Sequence, residues 1–173
     1  MGLRRHNPPI DHDACGVGFI AQLGSGAGSR EVVERALIAL QRLSHRGGVD
    51  ADGTSGDGAG LLTPIPQEFF RARARELGVE LPQAWGLGMV FLPHTETAAV
   101  KARLEALAEA SGLRVFLWRD VPVSPAVLGR SAAETRPAIV HVFVVPRRAG
   151  DPHFERVLYL FRKRVESDAL DGV

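Results

Sequence analysis

Apolar residues in this chain come in short runs separated by glycine, proline and charge, and the runs alternate between two spacings. "CGVGFIAQL" (15–23), "LLTPI" (61–65), "WGLGMVFL" (85–92), "LRVFLW" (113–118) and "AIVHVFVV" (138–145) are near-continuous and of strand length, as buried strands produce. Between them the period lengthens. Val33, Ala36, Leu37, Leu40 and Leu43 recur at i, i+3, i+4 and i+7 behind Ser29, predicting a capped helix that ends at Ser44 or His45. "PQEFFRARAREL" predicts a second helix stopped by Gly78, and the alanine-rich stretch 95–111 a third stopped by Gly112. A fourth carries Phe154, Val157, Leu158, Phe161 and Val165 on one face. The pattern predicts five strands and four helices in alternation, without internal repeats or low-complexity tracts.

Two segments fall outside this alternation. Residues 1–14, with Pro8 and Pro9 and little to bury, predict an extended leader. "HRGGVDADGTSGDGAG" (45–60) holds six glycines and three aspartates, Asp50, Asp52 and Asp57. A loop of that length without its own secondary structure is usually functional or disordered.

Composition narrows the class. A chain of 173 residues, 45% hydrophobic, buries roughly two-thirds of its unfolded surface without disulfides or metals. Basic and acidic residues number 21 and 20 for a net charge of +1, so charge implies no nucleic-acid and no anionic-membrane partner. The basic residues are almost all arginine and are scattered, which fits codon bias better than a binding surface. No apolar run reaches membrane-span length, and the first fourteen residues lack the apolar segment of a secretory signal. With one unpaired cysteine, these features point to the cytoplasm.

Several motifs fail on chemistry. "GDGAG" lacks the lysine and hydroxyl residue of a phosphate-cradling loop. "DADGTSGDGAGL" opens with calcium-type acids, but its sixth position is Ser55 and its twelfth Leu61, where such loops need glycine and a bidentate glutamate. Asp11, His12, Asp13 and Cys15 resemble a ligand set but read better as solvated charges on a leader. His141, inside an apolar run, reads as a hydrogen-bonded core histidine. Neither a metal site nor a cofactor site is expected in this chain.

Cys15 has two readings. It can be a small buried hydrophobe. Alternatively, glycines at 16 and 18 leave its backbone open to close approach, and the leader before it has a removable composition. Cleavage between Ala14 and Cys15 would give the thiol its own α-amine, of pKa about 7.7–8.0, as general base.

The stretches "CGVGFIA", "LSHRGGVDADGTSGDGAGLLTPIPQEFF", "GLGMVFLP", "WRDVPV" and "LGRSAAETRP" occur in this order and span most of residues 15–166. In them the chain resembles the N-terminal type II glutamine amidotransferase domain of the glutamate synthase large subunit. The resemblance implies an α+β fold, the four-layer αββα sandwich of the N-terminal nucleophile hydrolases. It implies a leader over 1–14, and it makes 15–173 the front part of the domain. Cys15 would be the catalytic nucleophile, at the start of a central strand, with Arg46 folded back to support it or the substrate.

The implied activity is release of ammonia from L-glutamine through a cysteine thioester, the ammonia passing to 2-oxoglutarate to make L-glutamate. FMN and an iron–sulfur cluster are implied for the full-length enzyme, not for this segment. The implied partners are L-glutamine, downstream synthase domains, and a small electron-transfer subunit or ferredoxin. The family's domain continues past 173 residues with an arginine segment for the glutamine carboxylate and an Asn-Gly oxyanion pair. Neither lies within these residues, whose sole asparagine is Asn7. The fragment alone is therefore expected to be inactive, with a large apolar surface left open on one side of a sheet built from "CGVGFIAQL", "GLGMVFL" and "AIVHVFVV". A non-catalytic remnant or binding module of the same fold is the alternative.

Overall fold

The computed structural model describes residues 16–24, 28–44 and 47–171. Two compact units divide the chain, one formed by Met1–Leu62 with Val127–Glu134 and the other by Thr63–Ala126 with Thr135–Val173.

The second unit is built on a three-stranded antiparallel sheet. Its strands are β1 (Gly86–Leu92), β2 (Leu113–Asp120) and β3 (Ala138–Pro146), in the order β1-β3-β2. The central strand is buried along nearly its whole length, which explains why its sequence is apolar without alternation. Its two faces meet different helices. Phe143 and Val145 pack with Leu81, Trp85 and with Phe70 and Ala74 of α2 (Gln67–Glu76). Val142 and Val144 pack with Ala108 of α3 (Thr97–Ala110) and with Phe154 and Phe161 of α5 (Phe154–Asp171).

In β2 the register shifts between Val115 and Leu117, a bulge that sends both Phe116 and Leu117 to the α2 face. At the turn between α3 and β2, Gly112 has φ +78, a conformation that glycine adopts without steric cost. Its carbonyl accepts from the Arg147 N–H at 3.1 Å, joining the end of β3 to the start of β2.

The strands expected at "WGLGMVFL", "LRVFLW" and "AIVHVFVV", and the helices α2, α3 and α5, are all present. The sheet is covered on both faces by its own helices, against the expectation of one open side. What stays open is a corner on the α2 side of β1. Met89 and Phe91, paired in register with His141 and Ile139, are 55% and 60% exposed.

The first unit differs in kind. Its main helix, α1 (Arg30–Arg42), begins at the predicted cap, where the Val32 N–H donates to Ser29 Oγ at 3.4 Å. The helix has an apolar face but buries no residue. The strand expected over 15–23 is a correction: residues 16–24 carry no regular structure, and Val17, Phe19 and Leu23 are at least 93% exposed. The strand expected at "LLTPI" is absent too, with Leu62 fully exposed. Apolar composition makes a strand only where a neighbouring strand takes its backbone groups. Among the described residues none lies beside either run. The pattern also missed α4 (Arg130–Thr135), a helix of six residues.

Candidate functional site

The two residues singled out for catalysis, Cys15 and Arg46, lie outside the described residues, as do Asp11, His12 and Asp13. The described chain next to Arg46 is the glycine-rich block, and it is ordered by hydrogen bonds.

Its base is closed at both ends. The Gly48 N–H donates to Asp57 Oδ2 at 2.7 Å, and the Asp57 N–H donates back to the Gly48 carbonyl at 3.2 Å. Val49 and Gly56 form an antiparallel bridge. Above it the Asp50 N–H donates to the Ser55 carbonyl at 2.7 Å, and the Gly53 N–H to the Asp50 carbonyl at 2.9 Å. Residues 48–57 are thus a short hairpin.

At the tip, the Asp52 carboxylate accepts four hydrogen bonds. Oδ1 takes the N–H groups of Thr54 (2.9 Å) and Ser55 (2.7 Å). Oδ2 takes the Ser55 hydroxyl (2.6 Å) and the N–H of Ser131 (3.1 Å). The buried Ser55 Oγ accepts in turn from the Ala132 N–H at 3.1 Å. Ser131 and Ala132 stand in the first turn of α4, whose N–H groups have no partner inside the helix. The hairpin tip supplies the cap that a local Ser, Thr or Asp ordinarily gives.

The approach is close enough to require glycine before the helix. A methyl group on Gly129 would stand 2.6 Å from Asp52 Oδ2 and closer still to Ser55. The four donors, led by the Ser55 hydroxyl and followed by the N–H groups of Thr54, Ser55 and Ser131, hold the Asp52 carboxyl far below the usual carboxylate range. An acceptor so fully engaged has no lone pair left for a cation in this arrangement. Among the described residues, no three His, Cys, Asp or Glu side chains gather as a metal site would require.

"DADGTSGDGAG" and "LGRSAAETRP" are far apart in sequence and meet only in the fold. The Asp-x-x-Ser spacing announces a local turn. Nothing in it announces a partner 77 to 79 positions later. His141 stands where the pattern placed it, in the core. It is 6% exposed, with Nδ1 at 3.2 Å from Arg119 Nη1. An arginine can only donate, so Nδ1 accepts and the ring proton sits on Nε2. Burial, then the Arg119 charge, pushes the His141 pKa down. No described helix is long and apolar enough to cross a membrane.

Comparison with known proteins gives a consistent picture. The family described as "Glutamine amidotransferases class-II" matches residues 15–172. The glutamate synthase [NADPH] large chain of Azospirillum brasilense is 40% identical over 166 residues, covering 93% of this chain and 11% of that protein. Ferredoxin-dependent glutamate synthase 1 of Arabidopsis thaliana is 43% identical over 161 residues, covering 90% and 10%. The glutamate synthase [NADPH] large chain of Bacillus subtilis is 37% identical over 171 residues, covering 96% and 11%. The chain spans about a tenth of the length of these relatives.

Proposed function

The chain belongs to the class-II glutamine amidotransferases, and from that premise we propose that it is the glutaminase part of a glutamate synthase, with Cys15 as nucleophile. One observation carries the reading: the family match begins at residue 15, the position of the chain's single cysteine.

In this reading residues 1–14 are a leader whose removal frees the Cys15 amine. The amine takes the thiol proton, and the thiolate attacks the side-chain amide carbon of glutamine. The C–N bond breaks as the same amine returns its proton to the departing ammonia. Water then hydrolyses the thioester, so glutamine and water become glutamate and ammonia. Arg46 contributes a fixed positive charge that favours the thiolate or holds the substrate. The ammonia goes on to 2-oxoglutarate. FMN and an iron–sulfur cluster would be carried elsewhere in the enzyme, because one cysteine cannot supply a cluster's thiolates. Domains beyond this chain and an electron-donating subunit or ferredoxin are the partners this reading requires.

The four-layer sandwich belongs to the same proposal. Met89 and Phe91 stay exposed on the α2 side of the sheet, and an apolar corner of that kind suits the stacking of a second sheet.

The test is intact mass and glutamine-dependent ammonia release on the full-length protein. We expect loss of residues 1–14, turnover by the processed form, and a drop to background in Cys15→Ala. A form whose Ala14–Cys15 bond is intact should be inactive, since its Cys15 nitrogen is an amide without basicity. Normal turnover by that form would overturn the mechanism. An intact leader with no ammonia release would favour the non-catalytic module.

A further inference from the structure

Apart from Arg46, neither the glycine-rich block nor the "LGRSAAETRP" stretch holds a residue that the proposed chemistry uses. Their meeting point is the most built polar site among the described residues. It brings together a carboxylate with four donors, a buried serine, two N–H groups of a helix start, and a glycine whose Cβ would collide with both side chains.

We propose that Asp52 and Ser55 are positioning residues for the glutaminase reaction, clamping the hairpin 48–57 onto the first turn of α4 and so fixing the loop that follows Arg46 in sequence. The inference rests on the glutaminase reading above. Its physical basis is the entropy of glycine. A segment with glycines at 47, 48, 53, 56, 58 and 60 loses more freedom on ordering than any other composition. Unclamped, it populates many geometries, and apparent affinity and rate fall with the fraction that is competent. Among the described residues, the bonds to Ser131 and Ala132 tie the tip to another element. The bonds to Thr54 and the Ser55 N–H merely shape the turn.

That division supplies the experiment. In Asp52→Asn the amide oxygen can keep the two N–H bonds of the turn, while its NH2 group faces the Ser131 N–H, donor against donor. This substitution preserves the turn and breaks the clamp. Asp52→Ala removes both, and Gly129→Ala wedges the clamp apart without touching either side chain. Each is made in the full-length enzyme and followed by glutaminase kinetics and by hydrogen exchange at the amides of residues 131 and 132.

We expect faster exchange at both amides and a loss of kcat/KM of about tenfold or more in all three variants, within the range a 1 Å misplacement produces. Wild-type kinetics in Asp52→Asn with faster exchange would show that the clamp is only structural and overturn the inference, as would unchanged exchange. If Gly129→Ala fails to fold, Ser55→Ala replaces it, with the same expectation. Cys15→Ala, run alongside, separates the two levels. Turnover surviving there overturns the cysteine reading itself, whereas its loss there with normal Asp52→Asn kinetics overturns the clamp alone.

Discussion

In the sheet unit the chain is held by burial, and in the glycine-rich unit by hydrogen bonds. β3 gives up its side chains on both faces, and Phe143 at its centre is fully buried among Phe70, Trp85 and His141. In the other unit α1 buries nothing, yet the hairpin 48–57 is specified at base and tip by carboxylates placed on named N–H groups. Burial scales with area and tolerates some reshaping. A hydrogen-bond clamp is all or nothing at each donor. The two units should therefore fail differently when a single residue is changed.

The largest effect belongs to the core. Phe143→Ala should lower stability by about 3–5 kcal/mol, the range for an aromatic deleted from a packed interior, measured by urea unfolding with the fluorescence of Trp85 and Trp118. A loss under about 1.5 kcal/mol would mean that the sheet unit is less tightly packed than its burial implies. Next comes Ser55→Ala. It strands the Ala132 N–H and removes a donor to Asp52, at a cost of about 1–3 kcal/mol. Exchange should quicken at residues 131 and 132 while 140–144 stay protected. Equal quickening in both places would erase the contrast.

His141 sharpens the comparison through pH. Its folded pKa is depressed by burial and by Arg119, so the unfolded chain binds the proton first as pH falls. The stability due to neutral His141 is complete above its ordinary value of about 6.5 and is lost toward the lower folded value. The slope cannot exceed about 1.4 kcal/mol per pH unit for one proton. His141→Gln keeps an acceptor for Arg119 and does not titrate, so it should flatten the limb that falls away below about pH 6.5. The smallest effect is on the surface. Arg162→Ala removes an exposed pair with Glu166 at 2.7 Å and should change stability by less than about 0.5 kcal/mol. A larger loss would make exposed charge a real contributor in the sheet unit.

What could be read from sequence divides along the same line. α1 was legible from Ser29 and the Val33-to-Leu43 spacing, and β3 from its unbroken apolar run, because cap and period are local signals. The Cys15–Leu23 and Leu61–Ile65 runs misled because a strand needs a partner, and pairing is set elsewhere in the chain. α4 was invisible for a related reason: six residues carry too few periodic positions, and its cap comes from Asp52 and Ser55. Cys15 is a candidate from its own flanks, the glycines after it and the leader before it, with the buried hydrophobe as the other reading, whereas Arg46 rests on family resemblance alone. Asp52 and Ser55, which order the loop after Arg46, carry no local signal of their partners in α4.

The strand order has a consequence for biosynthesis. β1 and β2 are not paired with each other, and both wait for β3, the last of the three to be made. Fifty-four residues separate the end of β1 at Leu92 from the end of β3 at Pro146, so at 5–20 residues per second β1 leaves the ribosome roughly 3–11 s before its partner is complete. Through that interval "GLGMVFL" offers two unpaired edges and apolar side chains, the combination that recruits chaperones or drives association between nascent chains. Slower translation across residues 93–146 lengthens that exposure.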